Sequence, residues 1–144
     1  MAREILFRGK CIETGAWYEG QYIHLHKTTY CFAGSAQRDA ENEIHQIVFE
    51  QMTDWNLPNR HLRVDVIPET VGQYTGLTDK NGKKIFEGDI VNFSDILYYI
   101  VFADGCFRIG RNGQYSYTLH NIHSAFEIIG NIHDNPELLK GGGE

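Results

Sequence analysis

The second half of the chain carries three glycine-containing dipeptides that favour a tight reversal of the backbone: Asn81-Gly82, Asp104-Gly105 and Asn112-Gly113. Such pairs accept the positive φ angles that a two-residue β-hairpin turn requires. Short apolar runs lie around them, at Ile90–Phe93, Ile96–Phe102, Cys106–Ile109, Tyr115–Leu119 and Phe126–Ile132. Strands of this length joined by such turns predict a small barrel or a sandwich.

The first half of the chain also has the pattern of strands. Apolar and polar residues alternate over residues 5–8, 17–25 and 62–67, which indicates strands with one buried face. Residues 44–52 are ambiguous, because their spacing fits a helix face while their β-branched and aromatic content favours a strand. Residues 33–43 are polar and predict a loop or a short exposed helix. Pro136, just after Asp134 and Asn135, predicts a short C-terminal helix.

Length, charge and cysteine content limit the classes of protein to consider. A chain of 144 residues with 42% hydrophobic residues forms one domain or two small ones. The net charge of -6 disfavours a protein that holds nucleic acid mainly through phosphates, although a local basic patch would still allow it. Cys11, Cys31 and Cys106 are far apart, which predicts reduced thiols and a cytoplasmic location. The chain lacks a signal-peptide pattern and a membrane-spanning apolar run, so we expect no membrane partner.

Three blocks of sequence carry a resemblance to a known family: REILFRGK near the start, VGQYTGLTDKNGKKIFEGDIV in the middle and FEIIGNIHDNPELL near the end. Together they resemble the YopX family, small proteins of phages and prophages. The resemblance implies a mostly β protein with an N-terminal β-sheet region and a C-terminal SH3-like small β-barrel. Residues 1–70 would form the first region, with a variable middle insertion. Residues 71–139 would form the barrel, and residues 140–144 a flexible tail. The family has no assigned activity, so it supplies no catalytic residues.

The central block from Tyr74 to Phe93 has the glycines and lysines of a phosphate loop and the carboxylates of a calcium loop. A phosphate loop needs Ser or Thr after its lysine and a following helix, and here Lys84 and a strand-like run take those places. A calcium loop needs alternating oxygen ligands between two helices. We therefore predict that the block is structural, with a tight turn at Asn81-Gly82 leading into the first barrel strand.

The search for catalytic, metal and cofactor sites gives no firm candidate. His24 and His26 lie on one face of a predicted strand, and His120, His123 and His133 lie elsewhere. A zinc site needs three or four converging ligands, and this pattern does not establish convergence. The chain has no nucleophile elbow, and its cysteines lie in apolar or strand context. We therefore expect no catalytic residue, no metal and no cofactor, and an enzyme is not the favoured class.

The favoured function is a binding or assembly module that pairs with itself or with another phage or host protein. Exposed sheet edges favour self-association. The alternative is a nucleic-acid-binding small barrel, since aromatic side chains flanked by basic ones bind bases and phosphates. The residues that could form such a nucleic-acid or partner face are Tyr98, Tyr99, Phe107, Arg108, Arg111, Tyr115 and Tyr117.

Overall fold

A computed structural model describes residues 3–29 and 42–141 of the chain. The described strands are β1 Phe7–Lys10, β2 Trp17–His26, β3 Glu43–Gln51, β4 Arg60–Asp65, β5 Gly72–Thr78, β6 Lys84–Phe86, β7 Asp89–Phe93, β8 Ile96–Ala103, β9 Cys106–Arg111, β10 Gln114–Thr118 and β11 Glu127–Asn131. Short 3-10 helices occupy Pro68–Thr70 and His123–Ala125, and one α-helix, α1, spans Glu137–Gly141. The predictions of a mostly β chain and of a short C-terminal helix are confirmed.

The chain divides into two compact units. Leu6–Val71 form one unit, and residues 72–141 form the other together with residues 3–5. Of residues 140–144, predicted as a flexible tail, Lys140 and Gly141 belong to α1, and residues 142–144 lie outside the described residues. In the described part of the chain, no helix is long and apolar enough to cross a membrane.

The first unit is built on four antiparallel strands in the order β4-β3-β2-β1. Strand β3 confirms the preference for a strand over a helix at residues 44–52, and it pairs along its length with both β2 and β4. Strand β3 is therefore an interior strand of this sheet. Ile47 and Val66 are fully buried here, and the free thiol of Cys11 is buried beside them. Residues 30–41, including Cys31, lie outside the described residues.

The second unit contains a five-stranded antiparallel sheet in the order β10-β9-β8-β7-β11 and the β5–β6 hairpin. Its core comprises Ile85, Val91, Ile100, Ile109, Leu119 and Phe126. Among residues 3–29 and 42–141 neither sheet closes into a barrel, so the predicted SH3-like barrel is not confirmed at the level of strand pairing.

Two hairpin turns of this sheet lie where the sequence predicts them, and a third was not predicted. Both residues of Asp104-Gly105 and of Asn112-Gly113 have positive φ angles, as predicted. The turn between β7 and β8 uses Ser94 and Asp95, with φ of 54° and 65°. No glycine marks this turn, and non-glycine residues adopt such angles only at a cost, so no dipeptide pattern predicts it.

The central block turns at Asn81-Gly82, as predicted, although only Gly82 of this pair has a positive φ angle. Gly82 has a φ of 81°, and its backbone N–H donates to the Asp79 carbonyl at 3.0 Å. The Asp79 carboxylate is buried and accepts three backbone N–H groups: Asn81 and Lys83 at 2.9 Å on Oδ1, and Ile128 at 3.1 Å on Oδ2. Asp79 therefore closes the β5–β6 turn and joins it to β11.

Candidate functional site

The seven residues predicted to form one face lie on both sides of the second-unit sheet. Residues paired directly across antiparallel strands share a face, and neighbours along a strand alternate. Ile100 pairs with Ile109, and both are buried, which defines the inner face. By this register Tyr98, Phe107 and Arg111 lie on the inner face, where Tyr98 and Phe107 pack against the core. The outer face carries Tyr99, Arg108 and Tyr115.

The outer face brings two tyrosine rings together across a glycine. Gly110 pairs with Tyr99 on one side and with Tyr115 on the other. A Cβ atom at Gly110 would lie 2.8 Å from the Tyr99 ring and 3.1 Å from the Tyr115 ring, so only glycine leaves room for both as they are placed. Nearby, Arg108 donates from Nη1 to the Ser116 carbonyl at 3.0 Å.

Strand β10 forms one edge of this sheet and is exposed along its whole length. Its five residues, Gln114 to Thr118, carry no charge. Tyr117 is 66% exposed and lies where the register with β9 shifts. The terminal strand β4 of the other sheet is different, because its exposed positions are Arg60, His61, Arg63 and Asp65. Charged edges resist pairing with another strand, whereas neutral edges invite it.

The first unit holds a cluster of two imidazoles and a carboxylate that the sequence did not reveal. His24 on β2 pairs directly with His45 on β3, and their stacked rings have centroids 4.3 Å apart. Glu43 lies two residues before His45, so its side chain emerges on the same face. Its Oε1 is 3.1 Å from His24 Nε2, and its Oε2 is 3.6 Å from His45 Nε2. Ligand atoms of all three side chains lie within 4.8 Å of one another.

Tyr22 supports this cluster from the next position on the same face of β2. Its hydroxyl is 2.5 Å from His45 Nδ1, the ring nitrogen that faces away from Glu43. Burial, and then the Glu43 charge, raise the pKa of Tyr22, so this hydroxyl keeps its proton. The hydrogen bond from His24, followed by that from His45, lowers the pKa of Glu43 despite the opposing effect of desolvation. The cluster thus presents an ionised carboxylate beside the Nε2 atoms of two stacked imidazole rings.

A cleft of about 860 Å³ opens beside the cluster, with Glu43 and His45 in its wall. Its other ionisable residues are Glu13, Lys27, Asp65 and Glu69. Carboxylates outnumber the single lysine, so the cleft favours cationic ligands over anionic ones.

The remaining histidines do not join this cluster. His26 lies beyond His24 on the same face of β2, and their ring centroids are 5.8 Å apart. His120, His123 and His133 belong to the second unit, where His123 Nδ1 bonds to the Thr78 carbonyl at 2.8 Å. His24 was considered as a metal ligand from the sequence, but Glu43 and His45, which lie beside it in the structure, were not identified. The Glu-x-His spacing in β3 mirrors the His-x-His spacing in β2, and it becomes informative only once the two strands are known to pair.

A family comparison decides the classification. The model of the YopX protein family matches residues 6–140. The chain belongs to the YopX family. The match covers the end of the first sequence block, both other blocks and the segments between them, so the predicted family is confirmed over nearly the whole YopX chain.

Comparisons with individual proteins add fold information only. The YopX chain is similar to the crystal structure of protein EF1440 from Enterococcus faecalis, with a TM-score of 0.55 and 24% sequence identity. The alignment covers 96% of this chain and 99% of that one. At this identity the similarity establishes a shared fold. The search of curated proteins found no match.

Proposed function

We propose that this YopX protein is a non-enzymatic assembly module of phage or prophage origin that works in the bacterial cytoplasm. In this proposal it forms a two-fold dimer by pairing its β10 strand with β10 of a second copy. The observation that carries the proposal is the neutral edge strand, exposed at every position, with Tyr115 and Tyr117. An edge strand of this kind presents unpaired backbone groups and apolar rings to another strand.

A second copy is the occupant that the edge fits best. Antiparallel pairing of a strand with its own copy produces a closed dimer and covers both edges at once. Because β10 has no charged residue, self-pairing brings no like charges together across the two-fold axis. Self-pairing of β4 would place the charged side chains of Arg60, Arg63 and Asp65 along the interface, and charged edge strands resist pairing, so this edge is less suited to it.

The proposal includes an SH3-like small barrel in the second unit. Strands β7 to β10 follow one another as a meander, and β11 returns to pair with β7. This connectivity is that of a five-stranded barrel, and bending of the sheet around the cluster of Ile85, Leu119 and Phe126 would form a partly open barrel in which the β10 edge stays free.

Dimer formation is tested by a lysine on the edge strand. We expect the wild-type protein to show twice the 16.5 kDa chain mass in light scattering at high concentration and to dissociate on dilution. Tyr117→Lys should remain monomeric throughout, because each copy would carry a charge on its edge strand and would lose the ring area that pairing buries. Trp55→Lys is the control, since Trp55 is 85% exposed and lies in the loop between β3 and β4. A monomeric wild type, or equal dissociation of both variants, would refute the proposal.

Single-stranded nucleic acid is a second candidate ligand, favoured by the outer-face group of Tyr99, Arg108 and Tyr115. Bases stack on aromatic rings, and a nearby arginine interacts with phosphate. This candidate predicts that fluorescently labelled single-stranded DNA or RNA binds at low salt and dissociates steeply as salt increases. Tyr115→Ala should weaken that binding while Trp55→Ala should not. Absence of binding at low salt would eliminate this candidate and leave the dimer proposal unaffected.

A further inference from the structure

We propose that His24, Glu43 and His45 bind one divalent first-row transition metal ion, with zinc as the best fit. Two imidazole nitrogens and one carboxylate oxygen form a ligand set that zinc adopts in proteins, with a water or another ligand in the fourth position. All three side chains project from one face of the β2–β3 hairpin, so rigid backbone pairing positions the ligands.

The separations between ligand atoms agree with tetrahedral coordination. Metal–ligand distances near ~2.1 Å place neighbouring ligand atoms about 3.4 Å apart. Glu43 Oε1 lies 3.1 Å from His24 Nε2 and Glu43 Oε2 lies 3.6 Å from His45 Nε2, so a rotation of the carboxylate brings one oxygen within reach of both nitrogens. The two imidazole nitrogens are within 4.8 Å of each other, so small rotations of the rings complete the triangle.

The second shell also fits a metal site. A metal-binding histidine usually hydrogen-bonds through its other ring nitrogen, which orients the ring and fixes its tautomer. His45 does this through Nδ1, which is 2.5 Å from the Tyr22 hydroxyl. With a metal on Nε2, the proton of the His45 ring lies on Nδ1, and this N–H donates a hydrogen bond to the Tyr22 oxygen.

The exposure of the three side chains makes the site accessible to an ion, and their charge and ligand atoms determine which ion it prefers. The His45 side chain is 14% exposed and anchors the site, while His24 at 45% and Glu43 at 36% leave it accessible. Two neutral imidazoles and one carboxylate carry a total charge of about −1. With a divalent cation bound, the site therefore has a net charge of about +1. Calcium and magnesium prefer all-oxygen ligand sets, so the two nitrogens favour zinc and its neighbours in the first transition row.

Zinc titration of the full chain with any purification tag removed tests the site. We expect wild-type protein to bind one zinc ion in isothermal titration calorimetry and to melt at a higher temperature when zinc is present. His24→Asn and Glu43→Gln should each weaken zinc binding by at least ~10-fold, and Tyr22→Phe should weaken it by roughly 10-fold through the second shell. Cobalt should give the visible absorption of a tetrahedral ion in the wild type and lose it in His24→Asn.

His61→Asn provides the matched control, because His61 is exposed on β4 and lies outside the cluster. It should bind zinc as the wild type does. Far-UV circular dichroism establishes that each variant keeps its strands. No zinc binding by the wild type would overturn the proposal. So would equal zinc affinity of wild type, His24→Asn and Glu43→Gln, because the ion would then be bound elsewhere.

Discussion

Replacing Asp79 by alanine should lower the free energy of unfolding by about 3 kcal/mol, because three backbone N–H donors lose their buried, charged acceptor. Asn81, Lys83 and Ile128 donate to this carboxylate, so its loss loosens both the β5–β6 turn and the attachment to β11. Urea denaturation followed by circular dichroism measures the change. Asp65→Ala is the control. The Asp65 carboxylate is exposed, and the hydrogen bond described for it comes from the Gln46 side chain. Its effect should stay within about 0.5 kcal/mol.

The same carboxylate makes stability depend on pH in a defined direction. Burial is the largest single influence on Asp79 and raises its pKa, but the N–H donors of Ile128, Lys83 and Asn81, with the Lys83 charge, together lower it below the ordinary value of 3.8. The stabilisation is therefore fully present above the unfolded-state pKa and is lost as pH falls through the lower native pKa. The stability gap between wild type and Asp79→Asn should narrow below about pH 4. A gap that widens in acid would contradict this assignment.

Replacing Gly20 by alanine should destabilise the first unit by about 3 kcal/mol, which exceeds the usual cost of a glycine substitution in a strand. Gly20 lies within β2, and a Cβ there would be 2.1 Å from the Val48 carbonyl oxygen and 3.2 Å from Ile47 Cγ2. Because the first contact is with backbone, β2 and β3 must separate rather than a side chain rotate. Thermal unfolding of the purified variant measures the loss.

Gly113→Ala is the control that distinguishes the steric clash expected at Gly20 from the backbone strain that any glycine substitution at a positive φ angle causes. A Cβ at Gly113 meets nothing within 4 Å, but the residue has a φ of 79°, so its substitution costs about 1 kcal/mol through strain alone. Gly20→Ala should be clearly more destabilising than Gly113→Ala. Equal losses would show that β2 and β3 approach less closely at Gly20 than described here.

Local signals in the sequence predict most of the strands but few of the relations between them. The turns at Asp104-Gly105 and Asn112-Gly113 have a residue chemistry that dictates their geometry, so they were predictable. The Ser94-Asp95 turn lacks that chemistry and is imposed by the strands on each side. Closure of the sheet into a barrel depends on long-range pairing, which the period-two pattern does not encode.

The candidate sites show the same limit. A shared face for Tyr98, Tyr99 and Arg108 could not be judged without the register of β8 on β9, which places Tyr98 on the inner face and the other two on the outer face. The cluster of His24, Glu43 and His45 likewise depends on which residue of β3 lies opposite His24. Residue types reveal which chemistry is available, whereas register decides which residues meet.

Hydrogen exchange at β10 tests the assembly proposal most directly. Residues 114–118 form an exposed edge strand, and dimerisation by strand pairing would engage the backbone N–H groups of that edge. The proposal predicts that amides in this segment become slower to exchange as protein concentration rises, while those of β4 do not change. Exchange at β10 that is independent of concentration, or protection that develops at β4 instead, would contradict it.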